Sequence, residues 1–298
     1  MMKRLAHFGR RQQIVLLLCS AVLVCGGCTR TSPSEEKPDT PRLTSGVDMR
    51  DMSFRSASLN RDMPYRVFLP SGIGAERKLP VVYLLHGGGG GFHDWSNYSD
   101  VSRFCQRGLI LVMPEGNSSY YTNASERAQD RYEDYIVHDL ISEVESKFPT
   151  ATGRGNRAIM GVSMGGFGAI KIGLRYPQLF GFAGGLSPAL DVPSRPFSIK
   201  RFQQWRQHRS IFGPWQGQTQ RENDPFELAR KLDARGMPYL FLSCGEQEGL
   251  LPANKSFAAL LDQRHFAHEF HAGPGGHDWN QWNGRLGVLF EGFFAHRG

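Results

Sequence analysis

Short apolar runs recur along this chain, each closed by glycine, proline or small polar residues. Val81–Leu85, Leu109–Met113, Ala158–Val162, Phe182–Leu186 and Tyr239–Ser243 are too short for helices. Such runs suit strands buried on both faces of a sheet. Between them lie stretches with a helical period. Tyr132–Phe148 places apolar residues at 136, 140, 141, 144 and 148, and Gly165–Arg175 is stopped by Pro177. Asp224 and Pro225 supply a cap and a first-turn residue for a helix that Gly236 ends. Ala253–Arg264 and a closing segment, Trp279–Phe294, also predict helices, and Glu269–His271 a short strand. At the front, Met49–Ser58 and Tyr65–Leu69 flank Asn60-Arg61-Asp62, which predicts an antiparallel hairpin. Strands alternating with helices imply a mainly parallel central sheet of the α/β class, with helices on both faces. Pro188–Glu222 fits neither period and contains Trp205, Phe212 and Trp215. It is expected to be an insertion over the edge of the sheet that carries the chemistry. No internal repeat or second domain is evident.

Composition refines this picture at the N-terminus. The 298 residues carry a net charge of +7, of which Lys3, Arg4, Arg10 and Arg11 supply four. The rest is spread without a Lys/Arg run, which argues against a basic patch and a nucleic-acid partner. Lys3–Arg11 precedes an apolar run, Ile14–Val24, too short to cross a bilayer but suited to a signal peptide. The run closes on Cys25-Gly26-Gly27-Cys28 and gives way to Ser, Thr, Pro and Glu. Residues 1–28 are therefore expected to be a signal peptide of the bacterial lipoprotein type, lipidated on Cys28 after cleavage. Cys25 occupies a position where that pattern usually has Leu, and ordinary secretion or a retained anchor is the alternative. Residues 29–46 read as a flexible tether and 47–298 as the folded domain. The expectation is an exported protein, lipid-anchored to the cell envelope. Of five cysteines, Cys105 and Cys244 then remain in the domain, either as a disulfide or as two separately buried thiols. No metal-ligand spacing exists.

The most specific local signal is Gly161-Val162-Ser163-Met164-Gly165-Gly166. Small residues around a serine permit the sharp strand-to-helix turn that exposes a nucleophile at a sheet edge. A neutral serine needs a base, and His277 stands out among ten histidines. It sits in Gly273-Pro274-Gly275-Gly276-His277-Asp278-Trp279, a loop between the last predicted strand and the last helix. An acid to orient the imidazole should lie between the two in sequence. Glu246 and Glu248, after the strand that ends in Cys244-Gly245, both qualify. For an oxyanion hole, backbone amides are expected from Met164 and from the glycines after His86, with Gly88 preferred over Gly87 and Gly89.

Together these segments resemble the esterase D-like family of α/β-hydrolases. That family includes S-formylglutathione hydrolases, short-chain acyl esterases, feruloyl esterases and mycolyltransferases. The resemblance rests on VVYLLHGGGG, LVMPEGNSSYYTN, RYEDYIVHDLISEVESKFP, GVSMGGFGAIKIGLRYPQLFGFAGGLSPALD, LFLSCGEQEGLLPANKSF and GPGGHDWNQW. It implies the α/β-hydrolase fold and prefers Glu248 as the acid, although the family more often has Asp there. It further implies that the loop Asn117–Asn123 lines the pocket, with Tyr120 and Tyr121 on substrate and Trp279 beside His277. The expected activity is carboxylester hydrolysis on short acyl, acetyl-sugar or aryl esters, without metal or cofactor. Two alternatives are an envelope acyltransferase with a sugar or lipid hydroxyl as acceptor, and a non-catalytic envelope-binding module.

Overall fold

The computed structural model describes residues 38–74 and 76–297. The expected signal peptide, its lipidation site Cys28 and the first part of the tether lie outside the described residues. Residues 39–298 form one compact unit.

Eight strands make one sheet: β1 Val47–Ser56, β2 Arg61–Pro70, β3 Val81–Leu85, β4 Ile110–Pro114, β5 Arg157–Val162, β6 Phe182–Leu186, β7 Tyr239–Gly245 and β8 His268–Gly273. Their order is β1-β2-β4-β3-β5-β6-β7-β8. β1 and β2 form the expected hairpin, and β2 also pairs antiparallel with β4. All pairs from β4 to β8 are parallel. The helices are α1 Asp94–Tyr98, α2 Tyr132–Asp134, α3 Ile141–Lys147, α4 Met164–Arg175, α5 Phe202–Phe212, α6 Gln218–Glu222, α7 Pro225–Lys231, α8 Leu251–Gln263, α9 Trp279–Asn283 and α10 Leu286–His296.

Residues alternate across a strand, so each central strand feeds two cores. Val81, Tyr83, Leu85, Ile110, Val112, Ile159, Leu240 and Leu242 join residues of α3, α4, α7 and α8 on one face. Val82, Leu84, Leu111, Met113, Ala158, Met160 and Phe241 join Trp95 of α1 and residues of α10 on the other. This double burial explains why these strands read as unbroken apolar runs. It also confirms the α/β-hydrolase class of fold, with its N-terminal hairpin.

Several elements depart from expectation. The tether ends before residue 46. The Arg42 amide donates to the Ser96 carbonyl, Thr44 bonds Ser102, and Asp39 is ion-paired with the fully buried Arg66 at 2.6 Å. The predicted helix over 132–148 is interrupted by a π-helical stretch, Tyr135–Leu140. The closing helix is two helices broken at Gly284, and the aperiodic insertion contains α5 and α6. Asp224 does cap its helix, accepting from the Phe226 amide at 2.9 Å. Cys105 and Cys244 are both buried free thiols rather than a disulfide.

Candidate active site

Ser163 joins β5 to α4 with φ 54° and ψ −114°, a conformation that L-residues rarely adopt. The turn is possible because glycines surround it. A Cβ on Gly161 would overlap the Gly165 backbone, and one on Gly165 would overlap the Leu85 and His86 carbonyls. Backbone holds the serine as well: its amide donates to the Leu186 carbonyl at 2.8 Å.

His277 reaches this turn from the loop between β8 and α9. Its Nε2 lies 2.8 Å from Ser163 Oγ and its Nδ1 2.6 Å from Glu248 Oε2. With Nδ1 carrying the proton toward the carboxylate, Nε2 is free to accept from the serine hydroxyl. Glu248 follows β7 and is buried. Its Oε1 accepts from the Gly245 amide at 2.7 Å and from Ser187 Oγ at 2.6 Å. Glu246 is exposed, and only its amide is engaged, donating to the Gly273 carbonyl. The structure thus brings Ser163, His277 and Glu248 together and leaves Glu246 outside.

The glycine run after β3 packs beside the serine turn. A Cβ on Gly87 would stand 3.6 Å from that of Ser163, and one on Gly88 3.9 Å from that of Met164. His86 anchors the run. The Gly116 amide donates to its Nε2 at 2.9 Å, which leaves Nδ1–H to donate to the Gly87 carbonyl at 2.8 Å. Nε2 also lies 3.3 Å from Glu115 Oε1.

The loop 116–122 carries three left-handed non-glycine residues, Asn117, Tyr120 and Tyr121. Such strain persists only where surroundings over-determine it. Here Ser119 Oγ donates to the Gly116 carbonyl and accepts from the Tyr121 amide, and Lys171 Nζ donates to the Tyr121 carbonyl. Tyr120 faces a cavity of about 650 Å³ that also includes Ser163, Glu248 and His277. Its hydroxyl is hydrogen-bonded to His208 Nε2 at 3.2 Å, and burial pushes the His208 pKa down to about 4. Most of the remaining wall comes from the insertion, including Asp191, Arg195, Trp205 and Trp215.

Two expected substrate contacts are corrected. Tyr121 is fully buried against Gly168, its hydroxyl donating to the His86 carbonyl at 3.1 Å, so it braces the loop and is no part of the cavity wall. Trp279 packs on Trp95, Tyr98 and Trp282, whereas the ring set edge-on against His277, at 5.2 Å, is Trp282. Sequence reasoning also missed Ser187 and His208. Ser187 follows the end of β6, at the carboxyl edge where sites in parallel sheets form, and that position was the available signal. His208 had none.

A serine on a strained strand-to-helix turn, bonded to a histidine at the carboxyl edge of a parallel sheet, defines the α/β-hydrolase class. A family model described as "Putative esterase" matches residues 56–290, and the chain belongs to that esterase family. It is an enzyme acting on ester bonds. Among its relatives, an acetyl esterase of Caldicellulosiruptor saccharolyticus is 27% identical over 72% of this chain and 82% of its own length. An endo-1,4-beta-xylanase/feruloyl esterase of Xylanibacter ruminicola is 25% identical over 72% of this chain, which spans only 27% of that protein. In structure, a ferulic acid esterase superposes with a TM-score of 0.72 at 24% identity, covering 85% of this chain and 99% of its own. A substrate-bound fluorophosphonate-binding serine hydrolase of Staphylococcus aureus gives 0.72 at 24%, covering 83% and 98%.

Proposed function

We propose that the protein is a serine carboxylesterase working through Ser163, His277 and Glu248 by way of an acyl-enzyme. The observation that carries this is the single imidazole within hydrogen-bond reach of both the serine hydroxyl and a buried carboxylate. His277 Nε2 takes the Ser163 proton as Oγ attacks the ester carbonyl, and Glu248 stabilises the imidazolium. The amides of Met164 and Gly88 face the developing oxyanion. Collapse of the tetrahedral species breaks the ester C–O bond, and the alcohol leaves with the proton from His277. Water, deprotonated by the same ring, then attacks the acyl-enzyme and releases the carboxylic acid and the serine. Short acyl, acetyl-sugar and aryl esters are the proposed substrates. A cavity of about 650 Å³ suits them, and the acetyl and feruloyl esterase relatives point the same way.

The test is hydrolysis of p-nitrophenyl esters across acyl lengths. Ser163→Ala should lower kcat by at least about 10⁴-fold and Glu248→Gln by about 10³–10⁴-fold. Glu246→Gln should stay within a few-fold of wild type. Full activity in Ser163→Ala would overturn the assignment. Acyl transfer to an added sugar alcohol in preference to water would identify an acyltransferase instead. We also propose export and lipidation on Cys28, so Cys28→Ser should abolish incorporation of labelled fatty acid.

A further inference from the structure

The insertion that walls the cavity has a second face. Among the described residues, six large hydrophobic side chains are exposed, and three of them, Phe197, Ile199 and Phe202, lie on this segment outside the cavity wall. Ile199 is 80% exposed and Phe197 57%. Phe197 and Phe202 both pack on Trp205, with ring centroids 5.1 and 6.1 Å away, so these three rings form one cluster. Charge on the segment is of one sign. Residues 195–209 contain Arg195, Lys200, Arg201, Arg206 and Arg209 and no Asp or Glu. Arg195 is paired with Asp191, and Arg209 approaches Glu126 at 3.4 Å. Lys200, Arg201 and Arg206 have no ion pair among the described residues, so their charge is available to a partner.

The segment is anchored at one end. Ile211 and Phe212, in the last turn of α5, are buried with Phe167, Ala189 and Val192, while the first turn projects into solvent. A projecting turn that combines aromatic and aliphatic side chains with unpaired cations has the composition of an interfacial membrane-binding element. Its apolar tips enter the headgroup boundary and its cations meet anionic lipid. A polyanion such as a glycan or nucleic acid would use the cations but gives no reason for a bare isoleucine at the tip.

We propose that residues 197–206 are a docking surface for an anionic lipid bilayer. The cavity opens beside it, because Pro196, Ser198, Arg201 and Trp205 line the wall while Phe197, Ile199, Lys200 and Phe202 point outward. Docking sets the cavity mouth against the headgroup layer. Given the esterase activity proposed above, amphiphilic esters seated in that layer are the substrates this arrangement favours.

Sedimentation with vesicles tests the surface directly. Both core clusters lie wholly within the compact unit of residues 39–298, so a 38–298 fragment, free of the apolar N-terminal run, serves as the protein. It should bind phosphatidylglycerol/phosphatidylcholine vesicles and bind pure phosphatidylcholine at least about tenfold more weakly. Phe197→Ser/Ile199→Ser and Lys200→Glu/Arg206→Glu should each lower binding to the mixed vesicles about tenfold or more. These four exposed side chains lie outside the cavity wall, so both variants should hydrolyse a soluble p-nitrophenyl ester as the wild type does, which also shows that they fold. Ser163→Ala should bind vesicles normally, which separates docking from catalysis. Absence of binding to the mixed vesicles would overturn the proposal. So would binding lost in the charge variant alone and competed by dextran sulfate, which marks a polyanion site. Self-association that disappears in the Phe197/Ile199 variant, without vesicle binding, would identify a contact between copies and overturn it too.

Discussion

The hydroxyl of Ser187 bridges the catalytic carboxylate and the indole that flanks His277. It donates to Glu248 Oε1 at 2.6 Å and accepts from Trp282 Nε1 at 2.9 Å, and Trp282 stands edge-on to His277. Without it, Glu248 would keep only the Gly245 amide on that oxygen, and a buried indole N–H would lose its partner. Leaving a buried donor unsatisfied costs about 1–3 kcal/mol. Ser187→Ala should therefore lower the unfolding free energy by that amount in urea. It should also reduce kcat about tenfold with KM unchanged, because the group acts on the base and not on substrate. His208 supports a prediction about pH. Burial, reinforced by Arg195, depresses its pKa to about 4 from an ordinary value of 6.5. Between these values the unfolded chain binds a proton that the folded chain does not. Stability tied to this ring is thus fully present above pH 6.5 and is lost as pH falls toward 4. Urea unfolding at pH 7 and at pH 4 should show wild type losing about 1–3 kcal/mol more than His208→Gln. Equal losses would mean that the ring is not held neutral.

At the scale of elements, Lys171 ties the loop that carries Tyr120 to helices α4 and α2. Its ammonium is fully buried on α4 and reaches Glu133 at 2.6 Å, the Tyr121 carbonyl at 2.8 Å and Thr122 Oγ1 at 2.8 Å. Burial pushes its pKa down to about 8, with Glu133 opposing the shift. Glu133 is also held by Arg175 and the Tyr176 hydroxyl, both at 3.0 Å, so removing Lys171 chiefly leaves the Tyr121 carbonyl without its donor, at a cost of about 1–3 kcal/mol. Lys171→Met should be destabilised by that amount in chemical unfolding and should raise KM by freeing the loop that carries Tyr120. Such tertiary ties are what the sequence could not display. The serine turn was legible because glycines at 161 and 165 are demanded by backbone overlap and leave a local signature. The buried strands were legible because two cores make them uniformly apolar. Helix α5 was not, since only its last turn is buried and the apolar residues of its exposed turns, Phe202 and Trp205, stand among Gln and Arg. Trp279 and Trp282 differ by one helical turn, and only packing decides which ring meets His277. Tyr120 and Tyr121 are adjacent in a polar loop, and backbone geometry alone sends one to the cavity and the other to the core.

For the whole molecule, the start of the folded unit is set by one buried cation. Arg66 on β2 is fully buried, and its guanidinium is held by Asp51 of β1 at 2.6 Å and by Asp39 at 2.6 Å. Ser96 Oγ accepts a further bond at 2.8 Å. Asp39 belongs to a segment that composition marks as tether, and nothing in its polar sequence distinguishes it from residues that stay in solvent. Its carboxyl is held below the usual carboxylate range, chiefly by the hydrogen bond from Arg66. A chain starting at residue 47 would lose that carboxylate together with the bonds of Arg42 and Thr44 to Ser96 and Ser102. Asp51 alone would then face a buried charge built for two partners, a loss in the range of about 2–5 kcal/mol. Urea unfolding of the 38–298 and 47–298 fragments should show that difference, with the midpoint moving and the slope nearly constant because the core is the same. Asp39→Asn in the longer fragment should reproduce most of it. Equal midpoints for the two fragments would show that Arg66 is satisfied from within the sheet, and that the segment before β1 merely lies on the surface.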